Sequence, residues 1–186
     1  LRQNRFVDRF LMVLSTLGST IPSFVFATLY LFLFSKILGL VPAFGVKPWT
    51  GYIGPVLVTS VFSMAFVTRL MRTSMIEELN QDYIRTARAK GLREKVVIYS
   101  HAWRNALLPV ITVLIGWFIS IFSGSLIIEQ MFALNGMGQL YYQGLMNNDF
   151  ELALAIQMFY VLIALVGQLI TDLSYGIVDP RVRVNK

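Results

Sequence analysis

Four long stretches of this chain contain no charged residue. They are 26, 21, 24 and 20 residues long and cover residues 10–35, 48–68, 105–128 and 152–171. A helix needs about 20 apolar residues to cross the hydrocarbon core of a bilayer. We therefore predict an all-α polytopic membrane helix bundle, with residues 1–186 forming one transmembrane domain. The predicted spans lie at about residues 10–35, 53–68, 106–128 and 152–175.

A soluble all-helical protein with buried core helices is the alternative that the composition argues against. Its helices would carry polar residues at helical period inside the four uncharged stretches, where such residues are largely absent. Only 14% of all residues are charged, whereas soluble domains carry about a quarter. The sequence also has no cysteine, so neither a disulfide nor a thiolate metal site can form within it.

The basic residues are distributed unevenly between the two sides of the membrane that four spans define. Fourteen of the sixteen Lys and Arg residues lie in the N-terminal flank, in the central loop (residues 69–104) and in the C-terminal tail. The other two are Lys36 and Lys47. Because Lys and Arg are enriched in cytoplasmic loops, we predict that both ends of this chain and the central loop are cytoplasmic. The same bias accounts for the net charge of +6 without nucleic-acid binding.

Two residues inside the predicted spans have both a structural and a functional interpretation. Pro22 removes a backbone hydrogen bond from the first span. We expect a packing kink there, or alternatively a hinge or a kink that lines a pathway. Asp172 is a functional candidate because acidic residues inside a membrane often are. Its position near the cytoplasmic end of the fourth span also allows contact with interfacial water or with the basic tail.

Small residues in the third span predict a close contact. Gly116, Ser120 and Gly124 recur at four-residue intervals, a spacing that lets helices or subunits approach closely in lipid. We expect this span to begin after Pro109, since the missing N–H of proline matters little near a helix N-terminus. Further on, Asn135-Gly136 is a strong turn signal, which predicts a short outer-face helix after it.

Residues suited to catalysis or metal binding are scarce. His101 is the only histidine, and the chain has no phosphate-binding loop of the GxxxxGK[ST] kind. The neighbours Glu77 and Glu78 would point to different sides of a helix and so do not form a carboxylate pair. We therefore predict no catalytic residue, no metal site and no cofactor, and we expect any ATP hydrolysis to take place on another chain.

The central loop has the pattern of a structured docking element. Apolar residues recur near helical spacing from Ser74 to Lys90, with acidic residues first and basic residues last, as the helix dipole favours. Gly91 then stands at the C′ position, where glycine adopts a left-handed turn easily. We expect a second short helix from about Arg93 to Trp103. This pattern alone supports equally a solvated basic loop that only determines topology.

The segments DYIRTARAKGL (residues 82–92) and HAWRNALLPV (residues 101–110) resemble the EAA loop of ABC-importer permease subunits, in the form found in the B-type permease of oligopeptide and dipeptide importers. The E-A-A-x3-G pattern falls on Arg85, Thr86, Ala87 and Gly91, with arginine in place of glutamate. Residues 101–104 depart from the later I-x-L-P of the general pattern. Asn135 stands where the family often has proline. Further similar segments are TIPSF (20–24), RLMRTSM (69–75), GMGQL (136–140) and DPRVR (179–183).

This resemblance implies the type I ABC-importer permease fold, of which the chain would hold the last four of about six spans. It implies import of oligopeptides, dipeptides or nickel across the plasma or inner membrane of a prokaryote. The implied partners are a homologous second permease subunit, two cytoplasmic ATP-binding subunits and an extracytoplasmic peptide-binding protein. The implied coupling helix, which would contact an ATP-binding subunit, comprises Asp82, Tyr83, Arg85, Thr86, Ala87, Arg88, Ala89, Lys90, Gly91 and Leu92.

Two other functional classes are considered on the residues alone. A membrane-embedded assembly or receptor protein would also use a cytoplasmic loop to bind a soluble partner, without transporting anything. An intramembrane enzyme is disfavoured, because the spans lack catalytic residues.

Overall fold

The computed structural model describes residues 5–45 and 49–178, without the side chains of Ser123 and of residues 174–178. Nine α-helices and no strand occur in this part of the chain. The helices are α1 Phe6–Thr20, α2 Ser23–Tyr30, α3 Ile53–Leu79, α4 Asp82–Ala89, α5 Glu94–Val96, α6 Trp103–Ser120, α7 Leu126–Met131, α8 Met137–Met146 and α9 Phe150–Val178. Five of the basic residues used to predict the topology lie outside the described ranges, together with the segment DPRVR: Arg2, Lys47, Arg181, Arg183 and Lys186.

Three helices in the described part of the chain are long and apolar enough to cross a membrane. They are Trp49–Leu79, Glu94–Ser120 and Phe150–Leu173. Many of their large apolar side chains are exposed, for example Leu162 and Leu165 on α9. Exposure of this kind along whole helices is expected where lipid or other membrane subunits surround them. The predicted all-α membrane bundle is confirmed.

The first predicted span is not a straight helix. α1 and the helix Ser23–Ile37, which extends α2 by a π-helical segment, meet at an angle of 99°. Ile21 has extended backbone (φ −73°, ψ 123°), because a residue before proline is pushed out of the α region. Pro22 then precedes the first residue of α2. The expected kink is therefore a break, and the prediction of four spans holds only if the bent pair counts as one span.

Both halves of the bent pair pack against α3. Near one end of α3, Arg72 donates hydrogen bonds of 2.9 and 3.0 Å to the carboxylate of Asp8 on α1. Nearer the other end, the ring of Phe26 on α2 meets the ring of Phe62 on α3 edge to face. α1 therefore contacts α3 nearer its C-terminal end, and α2 contacts α3 nearer its N-terminal end.

A buried apolar cluster joins α2, α3 and α7. We call it the Tyr30 cluster, and its buried members are Ala27, Tyr30, Val58, Ile128 and Phe132. Gly54 of α3 allows this packing, because a Cβ at that position would lie 2.5 Å from atoms of two aromatic rings of the cluster. Close contact of large rings with a helix backbone requires glycine at this point.

The helices that contain the second and third predicted spans have different boundaries from those spans. α3 continues beyond residue 68 to Leu79, and the chain is helical again from Glu94. The short helix expected from about Arg93 to Trp103 is present from Glu94, but it is continuous with α6, because α5 runs into α6 through the π-helical segment Val97–Ala102. Pro109 lies inside α6 and not before it; membrane helices tolerate an internal proline. At its other end α6 stops at Ser120 and does not reach residue 128.

The small-residue pattern of the third span does not lie on one helix face. Gly124 follows a 3₁₀ turn and has φ 69°, so it lies outside α6. Within the described part of this chain, the space beside Gly116 is open. The close helix approach occurs instead at Gly167 of α9, where a Cβ would lie 2.4 Å from Cγ2 of Ile119. Contact of Gly116 and Ser120 with another subunit stays a prediction.

The helix expected after Asn135-Gly136 is present as α8, but the turn itself comes earlier, with Ala133 at φ 49°. The side chain of Glu129 on α7 connects the start of α7 to the start of α8. Its buried carboxylate accepts hydrogen bonds from the backbone N–H groups of Ser125 at 3.0 Å and Gln139 at 2.9 Å. Gln139 lies in the first turn of α8, where N–H groups lack intrahelical partners and negative charge is favourable.

We expect Glu129→Gln to destabilise the protein by about 1–3 kcal/mol, because an amide replaces one charged acceptor oxygen with a donor. Thermal unfolding of the purified protein in detergent measures this loss. The control is Glu151→Gln, the same change at an exposed residue in the first turn of α9. Equal stability of the two variants would contradict the role assigned to Glu129.

Candidate functional site

α4 is the helix on which the sequence pattern and the resemblance converge. It begins at Asp82, after Gln81 in extended backbone, and ends at Ala89. The helical pattern that begins at Ser74 is therefore divided between α3 and α4, with the break at residues 80–81. Asp82 lies in the first turn of α4 and Arg88 in the last, so both charges are favourable for the helix dipole.

Gly91 ends this helix with the hydrogen bonds of a Schellman motif. The N–H of Leu92 bonds to the carbonyl of Ala87 at 3.4 Å, and the N–H of Gly91 bonds to the carbonyl of Arg88 at 2.9 Å. Gly91 has φ 75°, which confirms the predicted left-handed turn. No atom lies within 4 Å of where its Cβ would be. Glycine is therefore favoured here by the backbone conformation and not by a close neighbour in this chain.

One face of α4 is buried against the two long helices on either side of it in the chain. Ile84 and Ala87 of α4 belong to a buried group that we call the Met75 cluster. Its other members are Met75 of α3, Val97 and Ala102 of the π-helical segment, and Ala106 of α6. Ala87, one of the ten residues of the implied coupling helix, faces this cluster and has an exposed fraction of 6%.

Tyr83 adds polar contacts to the same anchoring. Its hydroxyl donates a hydrogen bond to the carboxylate of Glu78 on α3. The same oxygen accepts a hydrogen bond of 2.9 Å from Nδ2 of Asn105 on α6. The sequence analysis missed this network, because the partners lie 5 and 22 residues from Tyr83 and no short motif connects them. Tyr83 thus joins α4 to two membrane-spanning helices.

The opposite face of α4 is exposed and carries charge. The side chains of Arg85 and Asp82 are 73% and 95% exposed and are 3.4 Å apart. Arg88 donates hydrogen bonds of 2.8 and 3.2 Å to Glu94, and these bonds raise the pKa of Arg88. The other exposed residues of the implied coupling helix are Thr86, Ala89, Lys90, Gly91 and Leu92. This face can therefore contact a partner without unfolding the anchoring face.

The acidic residues that the sequence analysis considered for catalysis or metal binding do not form a site in the described part of the chain. No cluster of three or more His, Cys, Asp or Glu residues that could hold a metal occurs in the described ranges. Asp172 is exposed and accepts a hydrogen bond of 2.9 Å from Gln168 on the same helix. Glu78 accepts the hydrogen bond from Tyr83, whereas its neighbour Glu77 is exposed.

Known proteins similar to this chain are transport permeases. The dipeptide transport system permease protein DppB of Bacillus subtilis is 43% identical over 189 residues, which cover 100% of this chain and 60% of that protein. The oligopeptide transport system permease protein OppB of Haemophilus influenzae is 42% identical over 188 residues, covering 98% of this chain and 60% of the relative. The chain thus spans about 60% of the length of these relatives.

A third relative, the oligopeptide transport system permease protein AppB of Bacillus subtilis, is 37% identical over 186 residues, covering 95% of this chain and 59% of that protein. The family described as "Binding-protein-dependent transport system inner membrane component" matches residues 1–184. The family match covers nearly the whole chain, and it agrees with the sequence identities and with the helices that can cross a membrane. The chain belongs to the family of inner membrane components of binding-protein-dependent transport systems.

Proposed function

We propose that this chain forms part of the membrane-spanning permease of an ATP-driven importer of dipeptides or oligopeptides in a prokaryotic plasma membrane. The dipeptide and oligopeptide permeases that resemble this chain support the substrate class. The observation that carries the proposal is the two-sided character of α4. One face is buried against α3 and α6, and the other is exposed and charged.

In this proposal α4 is the coupling helix and lies on the cytoplasmic side. Its exposed face binds one of two ATP-binding subunits, which hydrolyse the ATP. Movement of α4 would reach α3 through Met75 and Glu78, and α6 through Asn105 and Ala106. A well-packed cluster transmits such a displacement because it deforms little. A homologous second permease would complete the pathway, and an extracytoplasmic binding protein would deliver the peptide.

We expect Gly91→Val to reduce both peptide uptake by the full transporter and co-purification of the ATP-binding subunits. A β-branched residue is strongly disfavoured at φ 75°, so the turn that ends the exposed helix would be distorted. The matched control is Gly39→Val. Gly39 also has positive φ (62°) and no atom within 4 Å of its Cβ position, but it lies far from α4 in the sequence. Equal effects of the two variants would contradict the coupling role.

The proposed orientation gives a second expectation. A cysteine replacing exposed Ala89 should react with a membrane-impermeant maleimide in inside-out vesicles only. A cysteine replacing exposed Phe44 should react from the opposite side. These 186 residues contain no cysteine, so each variant has one reactive thiol in this region. Labelling of both variants from the same side would overturn the topology.

A further inference from the structure

A groove lies between the bent pair, α3 and the end of α6. We call it the polar groove, because six of its ten lining residues are polar. Its volume is about 480 Å³. The polar side chains that line it are Ser19, Ser23, Thr59, Ser63, Arg69 and Ser125. A larger groove of about 680 Å³ between α6 and α9 is lined by apolar side chains only. Of these two grooves, only the first has side chains that can form hydrogen bonds.

Three of the five hydroxyl groups that line the polar groove are held in place by their own helices. Ser19 donates to the carbonyl of Ser15 at 2.7 Å, and Thr59 donates to that of Pro55 at 2.8 Å. Ser63 donates in the same way to the carbonyl of Thr59 at 3.2 Å. A hydroxyl oxygen that donates one hydrogen bond still has lone pairs with which to accept others. The groove thus presents acceptors suited to N–H donors such as peptide amides.

Irregular backbone lines this groove, which is compatible with a water-filled cavity. α6 ends at Ser120 and α7 begins at Leu126, yet Ser125 lines the groove together with Thr59 from within α3. The break therefore lies beside Thr59, the seventh residue of α3, and not beyond the end of that helix. Non-helical backbone at membrane depth is tolerated only where it is buried in protein or lines a water-filled cavity.

Arg69 places a positive charge in this groove. It is half-buried, and no acidic group of the described ranges forms an ion pair with it. Arg72, three residues on, is by contrast bound to Asp8. A guanidinium group binds carboxylates through two parallel hydrogen bonds. Arg69 is therefore available to a carboxylate that enters the groove.

We propose that this polar groove is a peptide-contacting wall of the translocation pathway, and that Arg69 pairs with the terminal carboxylate of the peptide. The hydroxyl oxygens accept hydrogen bonds from the peptide amides, which every sequence shares. The remaining lining residues are Phe62, Phe66, Trp117 and Ile128, which offer apolar contact to varied side chains. This inference rests on the proposed function as a peptide permease, and it adds the surface and the chemical group that are recognised.

Cysteine accessibility in the assembled transporter tests whether the groove is aqueous. Ser63→Cys should react with a charged, membrane-impermeant methanethiosulfonate, and an excess of transported peptide should slow the reaction. The control is Met64→Cys, because Met64 is 68% exposed on the same helix but does not line the groove. Absence of reaction at Ser63→Cys with and without ATP would overturn the proposal, as would equal reaction of both variants.

Uptake by the assembled transporter tests the role of Arg69. Arg69→Gln should lower uptake of a peptide with a free carboxylate by about tenfold, which corresponds to the loss of roughly 1.4 kcal/mol of binding. Arg69→Lys should restore part of it, and the C-terminally amidated peptide should be affected much less. The control is Arg104→Gln, which removes an exposed charge outside the groove.

Three outcomes separate this inference from the proposed function. Free-acid uptake within twofold of wild type in Arg69→Gln would overturn the carboxylate contact. Equal loss of both peptides would also overturn it, and would instead indicate a role in topology or in binding lipid headgroups. If the assembled wild-type transporter imports neither peptide, the proposed function itself is wrong.

Discussion

Backbone hydrogen bonding in hydrocarbon is the constraint on which the rest of this structure depends. An N–H or C=O group without a partner is costly there, so the chain crosses the membrane as helices. The chain departs from regular helix at Pro22 and at residues 121–125, and each departure lies beside another element of the fold. The bent pair at Pro22 packs along α3, and Glu129 accepts the N–H of Ser125 where α6 has ended. The breaks therefore occur where the fold provides partners or a polar groove.

The same helices extend beyond the bilayer length and meet around α4. The Met75 cluster and the hydrogen bonds of Tyr83 join α4 to the ends of α3 and α6. Farther along, α3 lines the polar groove through Thr59, Ser63 and Arg69. In the proposed function one continuous helix thus connects the docking element to the surface that the peptide contacts. A rigid, well-packed helix can transmit a displacement from one of these regions to the other.

Much of the site was predictable because its signals are local. The charges of α4 follow the helix dipole, and Gly91 marks its end by a conformation that glycine adopts most readily. The contacts that anchor α4 were not predictable, since Asn105 lies 22 residues from Tyr83. The sequence likewise did not decide which face of α4 is buried. Ala87, a residue of the implied coupling helix, faces the Met75 cluster.

The sequence by itself determined that the chain is helical and membrane-spanning, because hydrocarbon excludes charge and the uncharged stretches have the length of a bilayer. It also located the turn at Gly91. The tertiary structure alone decided that Pro22 breaks the first helix by 99°, that α6 stops at Ser120, and that close packing occurs at Gly167 and not at Gly116. The physical reason is that the free energy of an apolar side chain in a membrane is similar whether it contacts lipid or protein. Steric fit and distant hydrogen-bond partners then determine the arrangement.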